Sequence, residues 1–349
     1  MLTESELRNF VARAGSQGYT VFAPRKRGGK VYLEEVGDAD EVELGHVLTV
    51  NGAKDILLPR FEPLADFRLG DVRVDALEER FARVIFATRP CDAAALVILD
   101  AILLDPVRDA RYARRREETV IVTLACSNAD GACFCASMGY GPHDETGSDV
   151  ILLPSGGSYI VRALTGKGKA LLDKVGIPAD EGGEPDSPPE LKRKVHTGGI
   201  KEWLDENFES DRWKDASINC ISCGTCYYLC PTCHCFDITD EAGVARGRRY
   251  RIWDCCSFSD FTRMAGHQPR VGRHARYRQR IMHKFKYTVD NVNLTACVGD
   301  GRCIRHCPVG VDIGEVLEGL PEGSARSRGS GEDRGSGGDR GTGEERGEG

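Results

Sequence analysis

The sequence predicts an α/β domain over residues 1–204, then a mainly helical, cysteine-rich domain over 205–320, and a disordered tail over 321–349. Three observations carry this. "RVIFATRPCDAAALVILDAILL" followed by "EETVIVTLAC" reads strand, helix, strand, the pattern of a right-handed βαβ crossover. Eleven of the fifteen cysteines fall after residue 205. From Pro321 the chain becomes "PEGSARSRGSGEDRGSGGDRGTGEERGEG", without a large apolar residue to bury.

The elements follow in order. Thr3 and Glu6 form a capping box, and Leu7, Phe10, Val11 and Ala14 make one apolar helix face that Gly15 closes. Short strands are expected at 19–23, 31–35 and 46–50, the last running into the hairpin-turn pair Asn51-Gly52. In the βαβ unit Asp92 is placed to cap the helix. Strands near 149–153 and 158–163 and a helix near 168–175 come next. "IPADEGGEPDSPPE", 177–190, is a linker or loop.

The totals narrow the function. A net charge of −7 gives no general attraction to nucleic acid or anionic membrane. "MLTESELRNF" does not read as a signal peptide, and "AAALVILDAILL" is too short to span a bilayer. A cytoplasmic location follows as the expectation. In that reducing compartment clustered cysteines mean metal rather than disulfides. No Walker A loop, dinucleotide-binding glycine motif or nucleophile elbow occurs. The tail has five arginines against seven acids, a poor match to an RNA-binding segment.

"CISCGTCYYLCP" places Cys220, Cys223, Cys226 and Cys230 in the C-x2-C-x2-C-x3-C-P spacing of iron–sulfur proteins. Three closely spaced thiolates wrap one cubane, whereas a zinc site needs only two such pairs. Gly224 permits close backbone approach, and Pro231 turns the chain away. The second run, "CVGDGRCIRHCP", supplies Cys297, Cys303 and Cys307 but has Asp300 where a fourth cysteine would complete it. Crossed ligation, as in two-cluster ferredoxins, puts one 4Fe-4S cluster on Cys220, Cys223, Cys226 and Cys307. The other sits on Cys297, Cys303 and Cys230, with Asp300 at the fourth iron. Carboxylate is a harder and weaker ligand there than thiolate. The alternatives are a three-iron cluster or a corner completed by a cysteine elsewhere.

Cys91 and Cys126 each follow a strand of the βαβ unit, at the sheet edge where α/β folds build sites. With Cys133 and Cys135 they could hold a third 4Fe-4S cluster, and the helix N-terminus beside Cys91 favours its thiolate. Cys233, Cys235, Cys255 and Cys256 either add metal ligands or pack beside the clusters. Residues 241–286 carry ten Arg and two Lys against three acids. There Tyr277, Ile281 and Phe285 form an apolar stripe beside Arg276, Arg280 and Lys284. Compensation of anionic clusters together with a solvated face explains this best, ahead of redox-partner docking and then nucleic acid. His234, His267, His283 and His306 read as structural.

"RPCD", "CFCASMGYGP", "CISCGTCYYLCPTCHCFD", "RIWDCC", "HKFKY" and "GRCIRHCPVGVDI", in that order, resemble the iron–sulfur beta subunit of cytoplasmic sulfhydrogenases, the NAD(P)-linked nickel–iron hydrogenases. The electron-transfer subunit of anaerobic sulfite reductase looks like a relative with the same layout, and is the alternative assignment. The resemblance covers roughly 55–320. It implies a hetero-oligomer in which this chain does no substrate chemistry. It would pass electrons between the hydrogenase small and large subunits and a flavoprotein that binds NAD(P), with the seven cysteines of the two runs as cluster ligands. Asp300 departs from the general two-cluster pattern. An enzyme reading, a cluster-dependent dehydratase using the Asp300 iron as Lewis acid, is the alternative from a different class.

Overall fold

The computed structural model describes residues 1–68, 74–76, 82–180 and 182–321; beyond Pro321 the tail lies outside the described residues. Strands are β1 (Thr20–Arg27), β2 (Lys30–Glu35), β3 (Phe61–Arg68), β4 (Val74–Ala76), β5 (Arg83–Thr88), β6 (Thr119–Leu124), β7 (Val150–Ser155), β8 (Ser158–Ala163), β9 (Phe236–Ala242) and β10 (Arg246–Trp253).

Six of them form one sheet in the order β2-β1-β5-β6-β7-β8. β1, β5, β6 and β7 run parallel, and the edge strands β2 and β8 are antiparallel to their neighbours. β5 and β6 are buried at every position, as central strands covered on both faces must be. The helices Glu4–Ser16 and Gly166–Val175 cover one face, where Phe10 stacks on Phe86 at 4.7 Å. The helix Pro90–Leu103 covers the other through Ala93, Leu96 and Leu99. The Thr3–Glu6 capping box is present as expected.

A second, antiparallel sheet has the order β4-β3-β10-β9. It pairs Phe61–Arg68 with Arg246–Trp253, joining two stretches nearly two hundred residues apart in sequence by backbone hydrogen bonds. The cysteine-rich region is therefore not purely helical. It combines this hairpin with short helices whose core gathers Leu204, Trp213, Tyr277, Ile281, Phe285, Ile313 and Leu317.

Two local expectations are corrected. Residues 46–50 form no strand. Instead the Asn51 amide binds both backbone groups of Leu33, each at 2.9 Å, doing with a side chain what a strand does with a ladder. Asp92 does not cap its helix. Arg89 holds the cap position, and Asp92, one turn in, is buried against Arg302.

Candidate iron–sulfur centres

The two cysteine runs have the same backbone design. Ser222 and Gly224 flank Cys223 at φ +56° and +78°, and Gly299 and Gly301 flank Asp300 at +66° and +73°. In each run the second left-handed residue opens a one-turn helix, Thr225–Tyr228 or Arg302–Arg305. Asp300 is thus the positional counterpart of Cys223. Left-handed residues turn successive N–H groups inward, forming a concavity suited to anions.

Cys220, Cys223, Cys226 and Cys307 line one cavity, with Cys303 also on its wall. Arg280 lines it too. Its guanidinium is buried, and Nε and Nη2 have no hydrogen-bond partner. A buried guanidinium with two unsatisfied nitrogens facing a thiolate cage costs free energy unless something negative enters. These residues fit a 4Fe-4S cluster, which with its thiolates carries net negative charge.

Cys230 and Cys297 are buried. Lys284 Nζ lies 3.0 Å from Cys230 Sγ, and burial, opposed by Lys284 and reinforced by Cys230, pushes the Cys297 thiol up to about 12. Burial likewise raises Cys303, in a setting that includes Arg280, Asp300 and Cys230. Asp300 is buried, and Arg302 Nη1 donates to its Oδ2 at 2.8 Å. The Cys233 thiol is hydrogen-bonded to Cys230. Both Asp300 and Cys233 therefore stand beside the second set of thiols.

Cys91, Cys126, Cys133 and Cys135 line a second cavity together with Arg89, Gly299 and Asp300. β5 delivers Cys91 through a bulge, with Ala87 at φ +55° between the ladder positions of Phe86 and Thr88. Arg89 is pinned by its guanidinium to the Leu124 and Ala125 carbonyls, which ties the ends of β5 and β6 together. Burial raises the Cys91 thiol well above its ordinary value, outweighing the helix N-terminus expected to favour its thiolate. The thiols of Cys135 and Cys226 are also pushed up by burial, to about 12 and about 11. Any metal bound by these thiols would have to displace their protons, which would link its binding to pH.

The third set packs directly on the second run. Phe134 N donates to Gly299 O at 2.9 Å, and Arg305 reaches Asp130 Oδ1 at 2.5 Å, Cys133 Sγ at 3.0 Å and Asp300 O at 2.5 Å. A side chain at Gly299 or Gly301 would strike the backbone of Phe134 or Ala132. The remaining cysteines, Cys255 and Cys256, are buried with Tyr227, with Cys233 packed against that group, while Cys235 senses Cys256.

The sequence model of a 4Fe-4S dicluster domain matches residues 219–311. Sulfhydrogenase 2 subunit beta of Pyrococcus furiosus is 30% identical over 318 residues, covering 87% of this chain and 92% of that protein. The chain belongs to the sulfhydrogenase beta-subunit family. An iron–sulfur electron-transfer role follows from the membership and the dicluster domain together. No solved structure matches. Among the described residues no helix of this family member is long and apolar enough to cross a membrane.

The sequence misplaces or misses several buried cations near the cysteines. Arg280 and Lys284 fall by periodicity on a basic flank with a solvated face, yet both are buried and turned toward cysteines. The solvated face is the half of that expectation that the burial corrects. Lys54 is also buried, bonded to the Tyr228 and Cys233 carbonyls and seated 3.8 Å from the Trp253 ring centroid. Nothing in "NGAKDILL" marks it.

Proposed function

We propose that the chain is an electron relay within a hetero-oligomer, passing electrons between the small and large subunits of a cytoplasmic nickel–iron hydrogenase and a flavoprotein NAD(P)-binding subunit. The observation that carries this is the cavity lined by cysteines from both runs and by the buried Arg280 guanidinium, whose Nε and Nη2 have no hydrogen-bond partner. When bound, iron–sulfur clusters supply one-electron carriers. The residues supply thiolate ligands, counter-charge and exclusion of water.

In this reading Cys220, Cys223, Cys226 and Cys307 hold one 4Fe-4S cluster, and Cys230, Cys297 and Cys303 hold three corners of a second. Cys91, Cys126, Cys133 and Cys135 hold a third. For the fourth corner of the second cluster, Asp300 and Cys233 compete. The ion pair between Asp300 and Arg302 and the softness of iron favour Cys233. Packing of the 132–135 loop on Gly299 and Gly301 supports an order third, second, first along the route. Cys223 is exposed at the far end.

The test is reduction of the native complex. NADPH added to it should generate the cluster EPR signals of this chain, whereas NADPH added to this chain alone should not. Reduction of the isolated chain by NADPH, or hydratase activity from it, would contradict the relay reading. A purified complex that reduces sulfite rather than evolving hydrogen would keep the relay and change its acceptor.

A further inference from the structure

The helix Arg273–Met282 runs into a π-helical turn, His283–Tyr287. Such widened turns are rare and concentrate at functional sites, because they re-aim one side chain without ending the helix. Here Thr288 Oγ1 donates to His283 O at 2.6 Å, and Lys284 is turned inward and buried. Its ammonium has three donors and three acceptors: Cys230 Sγ at 3.0 Å, Thr232 Oγ1 at 3.0 Å and Ala296 O at 2.8 Å. Its own carbonyl accepts from Ala296 N at 2.9 Å, so the residue before Cys297 is held from both sides.

No carboxylate is among these partners. A buried ammonium without an acidic partner is costly, and the nearby negative charge it can draw on is thiolate and cluster. We propose that Lys284 sets the reduction potential of the cluster ligated by Cys230, by donating an N–H···S hydrogen bond to that sulfur and placing a buried positive charge beside it.

This rests on the cluster reading given above. On reduction the cluster accepts one electron and gains one negative charge, while no bond is made or broken. A fixed cation and a hydrogen bond to sulfur stabilise the reduced form more than the oxidised form, which raises the potential. The second cluster then holds electrons more firmly than it would without that contact.

The test uses the full chain, reconstituted anaerobically with iron and sulfide and titrated with dithionite while EPR is followed. Lys284→Met should lower the midpoint of one cluster by at least 59 mV, a tenfold change in its one-electron reduction equilibrium. The other midpoints should stay in place. Lys284→Arg should keep most of the wild-type potential, and Lys284→Gln, which keeps a donor without the charge, should fall between. Full iron content with every midpoint unmoved in Lys284→Met would overturn the proposal. Loss of that cluster's iron in both Lys284→Met and Lys284→Gln would also overturn it, because Lys284 would then be an anchor. If the wild-type chain itself binds no cluster, the relay reading fails instead.

Discussion

Arg302 and Asp92, 210 positions apart, form a buried two-pronged ion pair at 2.8 and 2.7 Å. The pair joins the second cysteine run to the first helix of the βαβ unit, and Asp300 shares the same guanidinium. Further bonds from Arg302 to the Thr49 and Asn51 carbonyls complete its set of donors. The α/β layer and the dicluster region are thereby bolted together at the point where two candidate cluster sites meet.

Breaking this bolt from one side should be severe. Arg302→Met strands two buried carboxylates, and leaving buried charge unpaired costs about 3–5 kcal/mol. Chemical denaturation should show that loss. Adding Asp92→Asn and Asp300→Asn to Arg302→Met should recover part of it, since the charges then disappear together. An unchanged midpoint in Arg302→Met would show that the pair contributes nothing.

The fourth corner of the second cluster separates Asp300 from Cys233. Cys233→Ala should lose iron from that cluster, converting it to a three-iron form or emptying it. Asp300→Asn should retain it. Iron analysis with EPR checks both variants, and the opposite pattern would make Asp300 the ligand.

Gly301 should tolerate no side chain. Its φ is +73°, and a Cβ there would lie 2.3 Å from the Ala132 carbonyl oxygen. Gly310 has a similar φ of +67° but faces open space. Gly310→Ala should therefore cost only the left-handed strain, about 1–2 kcal/mol. Gly301→Ala should cost clearly more and loosen the 132–135 loop, visible as faster amide exchange there.

His46 gives a pH dependence. Burial and the nearby Arg89 hold its imidazole pKa down at about 3, against an ordinary 6.5. Below the ordinary value the unfolded chain takes up a proton that the folded chain refuses, so stability falls with acid. The loss begins near pH 6.5 and continues down to about pH 3. Thermal unfolding should show His46→Asn losing less stability than wild type between pH 7 and pH 5. Equal losses would rule this group out as a source of acid sensitivity.

How much of this is readable from residues alone depends on the range over which each feature is encoded. The βαβ unit, the capping box and both cysteine runs are local patterns, and each lies where its spacing puts it. The pairing of β3 with β10 is not local: neither strand's residues name their partner across nearly two hundred positions. Asp92 misleads for the same reason. An acid in the first turn of a helix looks like a cap until Arg302 arrives from far along the chain. Lys284 sits in a basic stripe that helical periodicity places beside the apolar one. A single π turn changes that geometry, and no residue in "HKFKY" announces it. The cysteines of the third set are grouped by following two strands to one sheet edge, and one cavity receives all four.

The central claim is that the thiols of this chain hold iron–sulfur clusters in a connected series. Iron and acid-labile sulfide, counted per chain on anaerobically purified full-length protein, test it most directly. With three cubanes the count is about twelve of each, and the two runs alone give about eight. Fewer than about seven irons per chain, with no cubane EPR signal on reduction, would contradict the account.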